Sequence, residues 1–128
     1  MEFTSLDNRN RVKGTLTQIK IAIGQLKEWN KAITSSEDYY TSPGGMQKLA
    51  ASCMLIEAIG EGFKQINKLT NGEFLSMRPE IPWEDVMGIR NHIAHGYFDI
   101  DGDVIFSSVK DDLDALDDAT DFLLEAMK

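Results

Sequence analysis

The stretch Met46–Leu69, MQKLAASCMLIEAIGEGFKQINKL, decides the fold. Apolar or small residues recur at Met46, Leu49, Cys53, Ile56, Gly60, Phe63 and Ile66, in steps of three or four. That spacing draws one stripe along an α-helix, whereas a strand would alternate every second residue. Ala50, Ala51, Ala58 and Gly60 are small, so a neighbouring helix can come close. Ser42 before Pro43 reads as a cap followed by proline at the first helical position. Asn71-Gly72 reads as the stop.

The same period extends in both directions. Upstream, Val12, Leu16, Ile19, Ile23, Leu26 and Ile33 predict a helix from about Leu6 to Thr34, with Asp7 or Asn8 as its cap. The Ser/Thr/Gly/Pro-rich segment TSSEDYYTSPGG then connects the first two helices. Downstream, Pro82 opens a third helix carrying Trp83, Val86, Met87, Ile89, Ile93 and Ala94, which should stop near Gly96. Trp83 reads as core or as a staple at the helix start. The stretch FDIDGDVIF alternates around Asp101-Gly102 and suggests a tight turn or a small hairpin. Ser108–Asp111 resembles a capping box, and a last helix follows with Val109, Leu113, Leu116, Thr120, Leu123 and Met127 on one face. Four compatible stripes predict an all-α fold, an antiparallel four-helix-type bundle in a single domain over residues 1–128.

Composition narrows the function classes. The chain has 128 residues, 42% of them hydrophobic and 27% charged, which suits one globular core. A net charge of −8 argues against non-specific duplex DNA binding, which needs a broad basic footprint. Cys53, the single cysteine, cannot form an intrachain disulfide, which favours a reducing cytoplasmic setting. The opening MEFTSLDNRNRVKG has no apolar leader core, and no run is long and apolar enough to cross a membrane.

Chemistry concentrates in GIRNHIAHGYFDIDGD, Gly88–Asp103, which holds both histidines of the chain. On one continuous helix Asn91 and His95 share a face, and His92 and His95 nearly do. Arg90 and His95, five apart, stand about 140° around. His95 suits proton transfer near neutral pH. Arg90 stays charged and offers a planar fork to phosphate oxygens. Histidine and arginine with no nucleophilic Ser or Cys nearby suit RNA cleavage, where the substrate's own 2′-OH attacks and no metal or other cofactor is needed. Asn91 would support or orient, and His92 reads as a surface residue. Against these stand plainer roles: a surface ion pair for Arg90, a helix-end dipole contact for His95, and an aromatic anchor for Tyr97. Asp99, Asp101 and Asp103 do not make a calcium loop, because its sixth and twelfth positions fall on Val104 and Lys110. They read as solvated acids of a turn. A His92/His95/Asp99 metal site is a weaker reading still.

The string RNHIAHGY resembles the R-x4-H-x-Y signature of HepT-like toxins of the HEPN superfamily, at Arg90, His95 and Tyr97. IPWEDVMGIRN upstream, HGYFDIDGDVIFSSV downstream and MLIEAIGEGF in the second helix are also similar, so the likeness runs from about Ala50 to Leu116. The resemblance implies a HEPN-like helical bundle that forms a homodimer, with the Arg-His motifs of two protomers lining one cleft. It implies a metal-independent endoribonuclease toxin of a type II/VII-like toxin–antitoxin pair. Its partner would be a minimal nucleotidyltransferase antitoxin that transfers AMP to Tyr97. Some HEPN domains are instead non-catalytic modules that bind nucleotide or assist a nucleotidyltransferase, and that alternative stands beside the first. His92 is extra to the motif.

Overall fold

The computed structural model describes residues 5–93 and 99–128. Helix α1 spans Leu6–Asn30, α2 Asp38–Thr41 and α3 Gly45–Leu69. A 3-10 turn at Leu75–Met77 leads to α4, Trp83–Met87, and α5, Arg90–Ile93. Then α6, Gly102–Ser107, passes through a π turn at Ser108–Asp112 into α7, Leu113–Glu125. The fold is all-α, with no extended strand among the described residues. Among the described residues no helix is long and apolar enough to cross a membrane.

Cross-helix contacts fix the directions. Arg9 of α1 donates to the Met127 carbonyl, Lys20 pairs with Asp117 and Asp121, and Lys27 pairs with Asp114 and Asp117. As α1 advances α7 recedes, so the two are antiparallel. Asn30 meets Ser52 near one end of the α1–α3 pair, and Ile19 lies against Gly62 near the other, which makes α3 antiparallel to α1 as well. The core follows the stripes: Val12, Leu16, Ile23 and Leu26 of α1 face Leu49, Phe63 and Ile66 of α3, all essentially without solvent contact. Their burial is the main stabilising term, at about 1.5–3 kcal/mol per large side chain.

A polar network sits inside this core. Tyr39 Oη donates to Asn30 Oδ1 at 2.6 Å, and Asn30 Nδ2 donates to Ser52 Oγ at 2.8 Å and to the Leu26 carbonyl at 2.9 Å. Lys110 Nζ donates to the Asn30 carbonyl at 2.9 Å. Asn30 therefore ties α1 to α2, α3 and the π turn, and no buried side-chain polar atom among the described residues lacks a partner. Burial pushes the Tyr39 phenol up to about 12. On the outer seam, burial acts to raise the Asp117 carboxyl, but hydrogen bonds from Lys20 and Lys27 outweigh it and leave it below its ordinary value.

Several expectations need correction. Ser5, not Asp7 or Asn8, caps α1 by accepting from the Asn8 amide at 3.0 Å, and α1 ends at Asn30 rather than Thr34. Ile33 is still buried, but from the connection, where the network around Asn30 turns the chain. Pro43 stays outside α3, whose start is set by Gly44 in the left-handed region at φ +75°. Met46 belongs to the stripe by spacing, yet it is 54% exposed. The stop at Asn71-Gly72 holds: both have positive φ, and the Gly72 amide donates to the Asn67 carbonyl at 2.9 Å, closing a Schellman turn.

The hairpin reading fails. Asp101 caps a helix there, accepting from the Asp103 and Val104 amides at 3.1 and 3.2 Å. Ile105, Val109 and Leu113 are all buried, so the stripe of the last helix begins well before Ser108. Two successive steps of four outrun a 3.6-residue turn, and the wider π turn absorbs the excess. Ser108 therefore lies mid-helix and caps nothing. The third helix is also not continuous. Gly88 and Ile89 break it, and the Asn91 and His92 amides reach back only three residues, to the carbonyls of Gly88 and Ile89 at 3.1 and 2.9 Å. Its start fits expectation: Trp83 packs on Phe63 with ring centroids 4.9 Å apart and donates from Nε1 to the Arg78 carbonyl at 3.0 Å.

Candidate functional site

The motif segment is held from behind. Ile93 is fully buried, and its carbonyl accepts from the Asp101 amide at 2.8 Å. The chain therefore leaves α5 and re-enters α6 at one clamped point. In front of that anchor Arg90, Asn91 and His92 are all exposed. Among the described residues Arg90 has no ion-pair partner, although acids outnumber bases by 21 to 13 in the whole chain. An arginine kept for a salt bridge would be expected to hold one. A free fork at the surface suits an external anion.

His95 and Tyr97 lie outside the described residues, as do Ala94 and Gly96. The break at Gly88–Ile89 falls before Arg90, so among the described residues the angles of one helix apply only within Arg90–Ile93, and the Arg90–His95 angle lies outside them. Asn91 and Arg90 stand together on the exposed side of the α5 turn. Asp99 is exposed, Asp101 is the α6 cap, and Asp103 accepts from Ser36 Oγ at 2.5 Å. Asp101 and Asp103 thus have separate local tasks. Among the described residues no three of His, Cys, Asp and Glu converge to hold a metal ion.

Position on the fold comes from α4. Its C-terminal end meets α3 at Gly60, where a Cβ would stand 2.7 Å from the Val86 carbonyl oxygen and 3.1 Å from Ile89 Cγ2. Only glycine permits this approach, and it seats the residue that immediately precedes Arg90.

Two clefts flank α4, and they differ in charge. One, of about 440 Å3, has an apolar floor that includes Ile56, Ile59 and Val86, and its rim carries Glu80, Asp85, Asp111 and Asp112. Burial, and then the charge of Asp111, raises the Asp112 carboxyl. Such a rim repels a phosphodiester. The other, of about 460 Å3, opens to solvent between Lys64, Asn67 and Lys68 of α3 and Glu84, Met87 and Gly88. Sequence reasoning passed over the lysines, because an i,i+4 pair on a polar helix face looks like any solvated face.

The mostly helical, strand-free frame of the described residues is consistent with an all-α HEPN-like fold. The chain belongs to the ribonuclease HepT-like family, whose family model matches residues 19–123. It is 36% identical over 61 residues to a probable ribonuclease HepT of Thermococcus cleftensis, a match covering 48% of this chain and 52% of that one. It therefore spans about half the length of that relative. A putative RNase of Methanocaldococcus jannaschii, MJ1380, is 29% identical over 106 residues, covering 83% of this chain and 90% of its own. A putative RNase of Caldanaerobacter subterraneus subsp. tengcongensis, TTE0752, is 26% identical over 94 residues, or 73% and 78% of the two chains. No solved structure matches the chain significantly.

Proposed function

We propose that this chain is a metal-independent endoribonuclease toxin, one HEPN-like domain over residues 1–128, that cleaves RNA at a composite homodimer site. The observation that carries the proposal is the exposed, anchored Arg90, without an ion-pair partner among the described residues, in a chain of a ribonuclease family. Arg90 binds the scissile phosphate and stabilises the charge that builds on it. His95 takes the proton from the 2′-OH as that oxygen attacks phosphorus, and a proton is returned to the departing 5′-oxygen. The products are a 2′,3′-cyclic phosphate and a 5′-OH end. Asn91 orients the reacting groups. Two exposed methionines on α3, Met46 and Met54, with Ala50 and Ala58 between and beyond them at steps of four, support a second copy packing on that face.

The reading extends to control. A minimal nucleotidyltransferase antitoxin would transfer AMP to Tyr97, releasing pyrophosphate from ATP and leaving a phosphodiester on the phenolic oxygen. The adenylate would compete with RNA for Arg90. His95→Ala should abolish cleavage of RNA and growth toxicity while gel filtration still shows a folded dimer, and wild-type cleavage should persist in EDTA. Undiminished cleavage by His95→Ala refutes the mechanism. Intact mass after co-expression with the partner should rise by adenylate units for wild type and not for Tyr97→Phe.

A further inference from the structure

We propose that Lys64 and Lys68, with Asn67 between them, form a second contact for the RNA backbone in the open cleft beside Gly88. The proposal rests on the ribonuclease reading and names where the strand runs beyond the scissile phosphate. A net charge of −8 works against RNA binding at long range, so attraction has to come from a few well-placed cations. Several basic side chains are committed elsewhere. Lys20 and Lys27 are held by acids of α7, Arg78 by Glu80 and Asp118, and Lys110 by the Asn30 carbonyl. Lys64 and Lys68 have no such partner among the described residues, and both are exposed.

Their placement adds to the charge argument. Four residues along α3 separate the two ammonium-bearing positions by about 6 Å on one face. That is close to the spacing of successive phosphates in a nucleic-acid strand. The opposite wall of the cleft includes Gly88, whose carbonyl accepts from the Asn91 amide at 3.1 Å. Arg90 follows two residues later, within about 7 Å of chain. A strand whose scissile phosphate sits on Arg90 therefore reaches the lysines within one or two nucleotides. On the other side of α4 the rim acids Glu80, Asp85, Asp111 and Asp112 repel it, so of the two clefts flanking α4 the lysine-lined one suits the strand. Asn67 offers an amide to a ribose hydroxyl or a base edge. Glu84 is the one carboxylate among the described residues that line this cleft, and it weakens phosphate binding there.

The test uses a fluorescent single-stranded 2′-O-methyl RNA 12-mer, which binds but supplies no 2′-OH for cleavage. Its affinity is measured against salt concentration. Lys64→Ala/Lys68→Ala should lower the slope of log K against log salt by about 1.4, since each lost phosphate contact removes ~0.7. Affinity near ~0.1 M salt should fall roughly ten-fold or more. With cleavable RNA, KM should rise while kcat is kept. Lys64→Arg/Lys68→Arg should retain the slope, and Glu84→Gln should tighten binding. Lys13→Ala/Lys48→Ala makes the same change in net charge away from the cleft and should leave the slope unchanged. If wild type cleaves RNA and the two double alanine variants behave alike, the cleft proposal is overturned and the ribonuclease reading stands. If wild type does not cleave, the ribonuclease reading falls first. An unchanged slope with lost binding to the nucleotidyltransferase would make the cleft a protein contact, and also overturns the proposal.

Discussion

Gly60→Ala is the sharpest probe of how the bundle positions its site. The added Cβ would meet the Val86 carbonyl oxygen at 2.7 Å, against about 3.4 Å for ordinary contact. The α4 end must therefore retreat by about 0.7 Å, because the obstacle is backbone and cannot rotate away. Overpacking of this kind costs about 1–3 kcal/mol. Alanine in place of glycine within α3 returns about 1 kcal/mol of helix propensity. Net destabilisation should thus be about 0–2 kcal/mol, and the protein should fold. The functional cost should be larger than that suggests. The displaced carbonyl belongs to the turn that ends α4, and the Ile89 amide donates to it at 3.4 Å. Arg90 is the next residue. A misplacement approaching 1 Å can cost about 100-fold in rate, so kcat/KM on a fluorogenic RNA should drop about ten-fold or more. Gly14→Ala and Gly24→Ala supply the control. A Cβ at either position meets nothing within 4 Å, and each should stabilise α1 by up to about 1 kcal/mol with activity unchanged. Urea unfolding and initial rates on the same preparations decide the matter. A Gly60→Ala protein as active as wild type would refute the claim that this contact seats the motif.

Two further predictions concern the frame. Tyr39 has its phenol raised to about 12 while the unfolded chain keeps a value near 10, so the unfolded state loses that proton first. The contribution is fully present below about pH 10 and is lost as pH rises through 12, by about 2–3 kcal/mol, and urea melts should show a steeper alkaline loss for wild type than for Tyr39→Phe. At neutral pH the same variant should be destabilised by about 1–2 kcal/mol, because Asn30 Oδ1 loses its buried donor. Asp101→Ala should lower Tm by about 3–5 °C through loss of the α6 cap, and Asp101→Asn should restore most of it; equal melting of all three would refute the capping role.

What the sequence disclosed depended on how local each cause was. The stripes of α1, α3 and α7 were legible because burial follows a 3.6-residue period, and one kind of neighbour, another helix, satisfies it. The Schellman stop at Asn71-Gly72 was legible because it needs only positive φ at those residues. The hairpin error at Asp101 had a local cause too. Five apolar residues around an Asp-Gly pair imitate alternation, and the decisive signal lay downstream, in the register of Ile105 with Val109 and Leu113.

The candidate site divides along the same line. Arg90 and Asn91 stand out by residue type and by the resemblance to the family's motif, and the proposed chemistry would constrain those side chains themselves. The break at Gly88–Ile89 is different. A single interior glycine costs a helix only about 1 kcal/mol, so propensity favours running straight through from Trp83. The chain ends α4 there because Gly60, 26–29 residues earlier, lets the Val86 carbonyl and Ile89 press against α3. The two lysines that we place on the RNA path are legible only once that break exists, because they matter through their distance from Gly88 rather than through their own spacing. A motif in this fold is therefore written twice. In the reading proposed above Arg90 and its neighbours carry the chemistry, and Gly60 with the inner face of α3 carries the geometry. Substitutions in the second set should damage the reaction without touching any group that reacts.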